Sequence, residues 1–331
     1  MHPLPDGYTA RSGRLEDVPE LASLEGRYTT ALFGRTLRTE GELRTEWQAP
    51  SFDPARDTQI VIDPDGAIVG WIEVYDFEPH VALPSRLRVA PDTPESVASH
   101  LVGWSVERAR HSISLAPEGA RVSVTQSAFD VDPPANARLL AAGFSPIRVF
   151  LRMQIELDEM PLAPVWPDSI SVRTFIAGQD DLPAVEAMRE AFADHWGHVE
   201  TPLEEDLEEW RQWIYEDEDF DTDLWFLAEE AGEIVGFCQC YPVSGDDPRV
   251  GLVDELGVLR SHRGQGLATA LLQHAFRTFA ERGKSIVELG VDAESLTGAT
   301  RLYEKVGMHV VRRTNVYEFE LRPGEDIVNR G

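Results

Sequence analysis

The stretch that decides the fold is Leu256-Gly-Val-Leu-Arg-Ser-His-Arg263-Gly-Gln-Gly266-Leu-Ala-Thr-Ala-Leu-Leu272. An apolar strand ends at Val258, a polar loop closes on glycines, and an apolar run without further glycine or proline follows, which is the pattern of strand, turn and helix. Glycines let backbone N–H groups approach a ligand, and a helix start carries about half a positive charge. The stretch therefore predicts an anion site, with pyrophosphate as the natural ligand.

Spacing separates the known phosphate loops. A Walker loop needs Lys-Ser/Thr after its second glycine, and a dinucleotide loop needs a third glycine, and neither is present here. The remaining pattern, Arg263-x-x-Gly266-x-Ala268, resembles the acyl-CoA loop of the GCN5-related N-acetyltransferase (GNAT) superfamily. The resemblance implies that acetyl-CoA is bound by the loop and its flanks, namely Leu256, Gly257, Val258, Arg263, Gly264, Gln265, Gly266, Leu267, Ala268 and Thr269.

A second segment, downstream of the loop, supports the same family. It reads Asp292-Ala-Glu-Ser-Leu-Thr-Gly-Ala-Thr-Arg-Leu-Tyr-Glu-Lys-Val-Gly-Met308 and is similar to the second hallmark of the superfamily. Ser295 stands where asparagine is common, and Met308 replaces the usual phenylalanine. A hydroxyl still forms hydrogen bonds and methionine is a flexible apolar filler, so the resemblance holds, and Ser295 joins the expected cofactor contacts.

Composition limits the partners. The chain has 331 residues and a formal net charge of −28, which argues against nucleic-acid binding because phosphate contacts need clustered Lys and Arg. No signal-like start and no apolar run near the ~20 residues of a membrane helix occurs, so we expect a cytoplasmic protein without a membrane partner. Cys238 and Cys240, two residues apart, predict small core residues of a strand rather than a disulfide or metal site, and no metal is expected.

An internal repeat organises the chain. Tyr8–Arg11 and the Pro-started helix after it resemble Ile170–Arg173 and its helix, and β-hairpins with turns at Gly66 and Gly232 follow in both halves. A proline-rich stretch, residues 158–168, predicts the linker. We expect two tandem GNAT-like domains, 1–157 and 169–323, each an α/β fold with a twisted mixed sheet flanked by helices. This arrangement resembles the tandem, mycothiol synthase-like members of the superfamily.

The N-terminal copy lacks the parts that would carry chemistry. Its counterpart of the CoA loop, residues 92–99, contains no glycine, and Pro94 removes an amide donor. Leu139 stands where Tyr303 stands in the other copy. We therefore expect residues 1–157 to be a degenerate, structural domain. A second CoA site that binds without catalysing stays open as the alternative.

An acyl thioester is already activated, so the reaction needs proximity, a donor for the developing oxyanion, a path for the amine proton and an acid for the thiolate. The resemblance implies Tyr303 as the acid and a main-chain N–H of Val258 or Leu259 as the oxyanion donor. It further implies that strands 250–259 and 285–291 splay apart, which leaves backbone groups for the pantetheine arm.

Three side chains are candidate bases. Asp254 and Glu255 precede Val258, and the two-residue period of a strand places them on opposite faces, so only one is expected to face the acceptor. The resemblance favours Asp254, because superfamily members often carry a carboxylate at or near this place, and Glu255 stays the alternative. His195 is the third candidate. Together with Trp196 it lies where the first helix ends and an acceptor-binding loop usually begins in the superfamily.

The acceptor itself stays open. Between Glu200 and Asp223 there are twelve acidic side chains and one basic one, Arg211. They form either a wall that attracts a cationic amine or the solvated face of an amphipathic helix. We expect an acetyl-CoA-dependent N-acetyltransferase that transfers acetyl to a primary amine of a small molecule by direct attack in a ternary complex, as a monomer or homodimer. The alternative is a non-catalytic CoA-binding or regulatory module.

Overall fold

The computed structural model describes residues 2–198, 201–217, 219–295 and 298–329, apart from the side chain of Trp213. The chain divides into two compact units. The first contains the residues up to Phe150 together with Arg313–Val328, and the second contains Leu151–Arg312 together with Asn329. No helix in the described ranges is long and apolar enough to cross a membrane.

Twelve strands and nine α-helices are described. The strands are β1 Thr9–Arg11, β2 Thr58–Ile62, β3 Ile68–Val74, β4 Ala82–Val89, β5 Val122–Phe129, β6 Ser145–Glu156, β7 Ile170–Thr174, β8 Trp225–Glu230, β9 Glu233–Tyr241, β10 Val250–Val258, β11 Ile286–Asp292 and β12 His309–Arg322. The helices are α1 Val18–Phe33, α2 Glu40–Gln48, α3 Pro54–Asp57, α4 Glu95–Arg110, α5 Pro133–Ala141, α6 Asp181–Phe192, α7 Leu203–Glu216, α8 Leu267–Glu281 and α9 Ala299–Lys305.

The sheet of the first unit has the order β1-β2-β3-β4-β5-β12. Strands β4 and β5 are parallel, and the pairs on either side of them are antiparallel. Local signals start its helices: Pro19 lies in the first turn of α1, and Thr39 caps α2 by accepting from the Glu42 N–H. Apolar residues of both helices, among them Trp47 of α2, share one core cluster with Trp71 of β3, and the two tryptophans are each at most 1% exposed.

The sheet of the second unit has the order β6-β11-β10-β9-β8-β7, with β10 and β11 parallel. Almost the whole of β9 is buried because helices cover both faces. A side chain at Gly236 would meet Leu267 of α8, whereas the neighbouring Phe237 ring packs 5.6 Å from that of Phe192 in α6. Adjacent strand residues point to opposite faces, so α6 and α8 flank the sheet. The predicted α/β fold with a mixed, helix-flanked sheet is confirmed.

Both units repeat one order of elements: a strand, two or three helices, a hairpin, a strand, a helix, a strand and a helix. The predicted hairpin turns are present, with φ of 90° at Gly66 and 89° at Gly232. Strand β6 precedes the proline-rich segment yet lies beside β11 in the second unit, and β12 lies beside β5 in the first. The position of a strand in the sheets therefore does not follow its order in the chain. The linker at residues 158–168 stays a prediction.

Candidate active site

The second unit opens where β10 and β11 separate. Their parallel pairing runs from Val250↔Ile286 to Val253↔Leu289, whereas β10 continues along β9 as far as Val258↔Gly236. The Leu259 N–H donates to the Val235 carbonyl at 3.0 Å. Because backbone groups alternate in direction along a strand, the N–H of Val258 points away from β9, toward the opening. Of the two predicted oxyanion donors, Val258 is the one that β9 leaves available.

A β-bulge lies beside this opening. The register of β10 on β9 shifts between Val253 and Glu255, so that Asp254 is the extra residue. The two-residue alternation that placed the two carboxylates on opposite faces does not hold across a bulge, because Glu255 pairs with Gln239 while Asp254 is the extra, unpaired residue of the strand. The pKa of Tyr241 is raised by burial and by the charges of both carboxylates, so both act on one neighbourhood.

The pKa values of both carboxylates are raised above their ordinary values. Burial and the charge of Asp254 raise the pKa of Glu255 to about 8. Burial also raises the pKa of Asp254, while Arg152 opposes the rise and Asp217 adds to it. Asp254 is nevertheless exposed by surface area. Solvent therefore reaches this carboxylate, while the protein atoms around it displace part of its hydration.

Tyr303 lies on α9, where it is 8% exposed. Burial, the Cys238 thiol and the Glu255 carboxylate raise its pKa above the ordinary value for tyrosine, in that order of importance. Within the described ranges no protein group forms a hydrogen bond with the Tyr303 hydroxyl. A phenol that stays protonated can donate its O–H to a developing anion.

The predicted CoA loop has the backbone of an anion cradle. Gly264 and Gly266 have φ of 77° and 89°, and a Cβ at either position would meet nothing within 4 Å. Helix α8 begins directly after Gly266 without a side-chain cap and without an acidic residue in its first turn. The N–H groups of Leu267, Ala268 and Thr269 thus have no intrahelical acceptor, since the first helical bond runs from Ala270 to the Gly266 carbonyl at 3.0 Å. This open, positively polarised helix start fits a pyrophosphate.

The guanidinium group of Arg263 forms hydrogen bonds to three groups of the protein itself. Its Nε donates to the Val258 carbonyl at 3.1 Å, its Nη2 to the Ala191 carbonyl at 2.8 Å, and its Nη1 to Asp194 Oδ2 at 2.9 Å. Gln265 bends back to the Ser261 carbonyl at 3.3 Å. The loop therefore presents its main chain, and not these side chains, to the space above α8.

The other predicted residues lie around this opening in the second unit. His195 is exposed, with its ring 4.6 Å from that of Phe192, and burial of the ring nitrogens, ahead of nearby charges, lowers its pKa. Trp196 is half-buried beside it. Ser295 lies in the turn before α9, where its N–H donates to the Asp292 carbonyl at 3.1 Å. The roles of His195 and Trp196 on the acceptor side stay predictions.

The corresponding place in the first unit differs in charge and shape. Gly70↔Val89 matches Gly236↔Val258, and from that pair Arg86 opposite Glu73 matches Glu255 opposite Gln239. No register shift interrupts β3 and β4. At the start of α4, Pro94 replaces the glycine of α8, and the first-turn Glu95 pairs with Arg138 at 2.6 Å. A carboxylate therefore already occupies the surroundings of that helix start.

Comparisons with known proteins agree with this geometry. The sequence profile described as the acetyltransferase (GNAT) family matches residues 185–308. A mycothiol acetyltransferase of Streptomyces griseus is 31% identical over 291 residues, which is 88% of this chain and 85% of that protein. The chain belongs to the GNAT acetyltransferase family. Through this membership it is an acetyl-CoA-dependent N-acetyltransferase.

Solved structures of GNAT proteins are similar to this protein over nearly its whole chain. The crystal structure of a GCN5-related N-acetyltransferase from Sphaerobacter thermophilus has a TM-score of 0.81 and 34% identity, and the match covers 98% of this chain and 99% of that one. A tandem GNAT protein from the clavulanic acid biosynthesis pathway has a TM-score of 0.71 at 18% identity, with 96% and 100% covered, and shares the fold. The expected tandem GNAT architecture is confirmed.

Sequence reasoning missed Asp194, the partner of Arg263 and, at 3.1 Å, of Arg260. A signal was present. Asp194 follows directly after the end of α6, where a negative charge is opposed by the helix dipole, so its occurrence there points to a specific cationic partner.

Proposed function

We propose that the second unit transfers the acetyl group of acetyl-CoA to a primary amine of a small molecule by direct attack. The observation that carries this proposal is the opening between β10 and β11, which begins after Val253↔Leu289 and has the uncapped start of α8 beyond its end. A thioester that follows this opening runs from an anion cradle toward Glu255 and Tyr303. The two polar groups needed for proton movement thus lie along one path.

Main-chain and side-chain groups have separate chemical roles in this proposal. Main-chain N–H groups of Gly264 to Thr269 bind the pyrophosphate, and the N–H of Val258 stabilises the oxyanion that forms when the amine attacks. Glu255, with Asp254 beside it, accepts the proton that the amine loses, and a carboxylate with a pKa of about 8 is well matched to that task near neutral pH. Tyr303 donates its proton to the departing thiolate. His195 is the alternative proton acceptor.

The acceptor is proposed by analogy. Several relatives are named mycothiol acetyltransferase, and the one from Streptomyces coelicolor is 29% identical over 90% of this chain and 94% of its own length. We therefore propose the unacetylated amine that corresponds to mycothiol as the first acceptor to test. Asp254 is exposed, so its carboxyl group is accessible to the amine of an acceptor. The first unit, with Arg86 and Leu139 in place of Glu255 and Tyr303, is proposed to be structural.

The test measures thiol release from acetyl-CoA with that amine and with a panel of simple primary amines. We expect release with the mycothiol-type amine, and a fall in kcat of about a hundredfold in Tyr303→Phe with unchanged acetyl-CoA affinity, because one general acid contributes roughly 10² or more. Tyr317→Phe is the matched control, since Tyr317 is also buried but lies in the first unit. Binding of acetyl-CoA without release on any amine would refute the proposal.

A further inference from the structure

The Arg263 side chain joins three elements of the second unit. It ties the CoA loop to the end of β10 through the Val258 carbonyl and to the end of α6 through the Ala191 carbonyl, with distances of 3.1 and 2.8 Å. Its third bond is an ion pair of 2.9 Å with Asp194, which follows α6. Arg263 is 29% exposed and Asp194 27%, so solvent only partly screens the pair. The position of the loop backbone thus depends on groups about seventy residues earlier in the chain.

Asp194 receives two guanidinium groups. Arg260 donates to the same oxygen, Oδ2, at 3.1 Å, and both arginines belong to the segment that leads into Gly264 and Gly266. The hydrogen bond from Arg263 is the main reason that the pKa of Asp194 is lowered, so the carboxylate is charged at neutral pH. Bonds of this charge-assisted kind are about twice as strong as neutral ones and fix direction as well as distance.

We propose that Asp194 is a positioning residue that holds the CoA loop in its binding conformation through Arg263, without touching acetyl-CoA. The inference rests on the proposed role of this loop in binding the pyrophosphate. Gly264 and Gly266 are the most permissive backbone positions in the loop, so the conformation that lines up successive N–H groups needs an outside anchor. Arg263, immediately before the first glycine, is that anchor, and Asp194 fixes it.

The chain offers a matched control in Asp206. Like Asp194, this residue pairs with an arginine, in this case Arg189 of α6. Arg189 also donates to the Thr201 carbonyl at 2.8 Å. Asp194→Ala and Asp206→Ala therefore each remove one carboxylate that pairs with arginine beside the connection from α6 to α7. Only the first of them has a bond to the CoA loop.

The experiment measures the acetyl-CoA dissociation constant by calorimetry for the full chain and for Asp194→Ala, Asp206→Ala, Arg263→Ala and the double variant Asp194→Ala/Arg263→Ala. We expect Asp194→Ala to weaken binding about tenfold, which is the size of one charge-assisted hydrogen bond. Asp206→Ala should stay within about twofold of wild type, and the double variant should bind no more weakly than Arg263→Ala, because one residue acts through the other.

Unchanged affinity in Asp194→Ala, equal loss in Asp206→Ala, or full additivity in the double variant would each overturn the proposal. Should Asp194→Ala fail to fold, Asp194→Asn keeps the shape of the side chain and removes its charge, and the same weakening is expected. Binding is measured without an acceptor. A wild type that binds acetyl-CoA and acetylates no amine would therefore refute the proposed function and leave the Asp194 comparison intact.

Discussion

Glu255 should make the stability of the protein depend on pH in a direction opposite to that of an ordinary surface carboxylate. Burial and the neighbouring charge of Asp254 raise its pKa from 4.5 to about 8 in the folded chain. The folded protein therefore holds this proton more tightly than the unfolded one. The stabilisation is fully present below pH 4.5 and is lost as pH rises to about 8.

The magnitude follows from the difference between the two pKa values, 8 − 4.5, or about 3.5 units. At about 1.36 kcal/mol per unit the upper bound is ~5 kcal/mol. Glu255 is half-buried, so solvent screening reduces the expected effect to roughly 2 to 3 kcal/mol. Glu255→Gln removes the titration and keeps the size of the side chain. Relative to wild type, the variant should gain that amount of unfolding free energy between pH 4.5 and pH 9.

The assay is urea unfolding of wild type and Glu255→Gln at pH 4.5, 7 and 9, with the free energy of unfolding extrapolated to water. Glu320→Gln is the control, because Glu320 is exposed and belongs to the first unit. A stability difference between wild type and Glu255→Gln that is the same at pH 4.5 and pH 9 would refute the reasoning, since it would mean that Glu255 titrates alike in the folded and unfolded chains.

Three further predictions concern catalysis and binding. If Glu255 is the base, the rate of acetyl transfer should rise with pH through about 8. Asp254→Asn removes the like charge beside Glu255, so this rise should then occur at lower pH. A rise below pH 6.5 that disappears in His195→Asn would assign the base to His195 instead. Gly266→Glu should abolish acetyl-CoA binding, as a carboxylate would take the anion's place, whereas Gly283→Glu, with a similar φ of 78° and equally open surroundings at the other end of α8, should bind normally. Calorimetry should find one acetyl-CoA per chain, and a second acetyl-CoA bound per chain would contradict the structural role of the first unit.

The parts of the protein that could be predicted from sequence are those in which neighbouring residues carry the information. Gly264 and Gly266 indicate a backbone with positive φ, and the apolar run after them predicts a helix. Both predictions depend only on a few consecutive residues. Tyr303 was found through its place in a motif. The repeat was visible because the hairpins at Gly66 and Gly232 need the same turn residues.

Tertiary structure decided what depends on residues far apart in the chain. The bulge at Asp254 arises from the pairing of β10 with β9, so alternation along the sequence does not by itself determine which faces the two carboxylates occupy. The pKa of Glu255 is set by surrounding atoms that sequence does not place. Arg263 looked like an anion ligand in its motif, yet its guanidinium is occupied by Asp194 and by carbonyl groups of α6 and β10. Local sequence thus determines the backbone conformation of the loop, whereas the groups that hold Arg263 in place are brought together only by the folded chain.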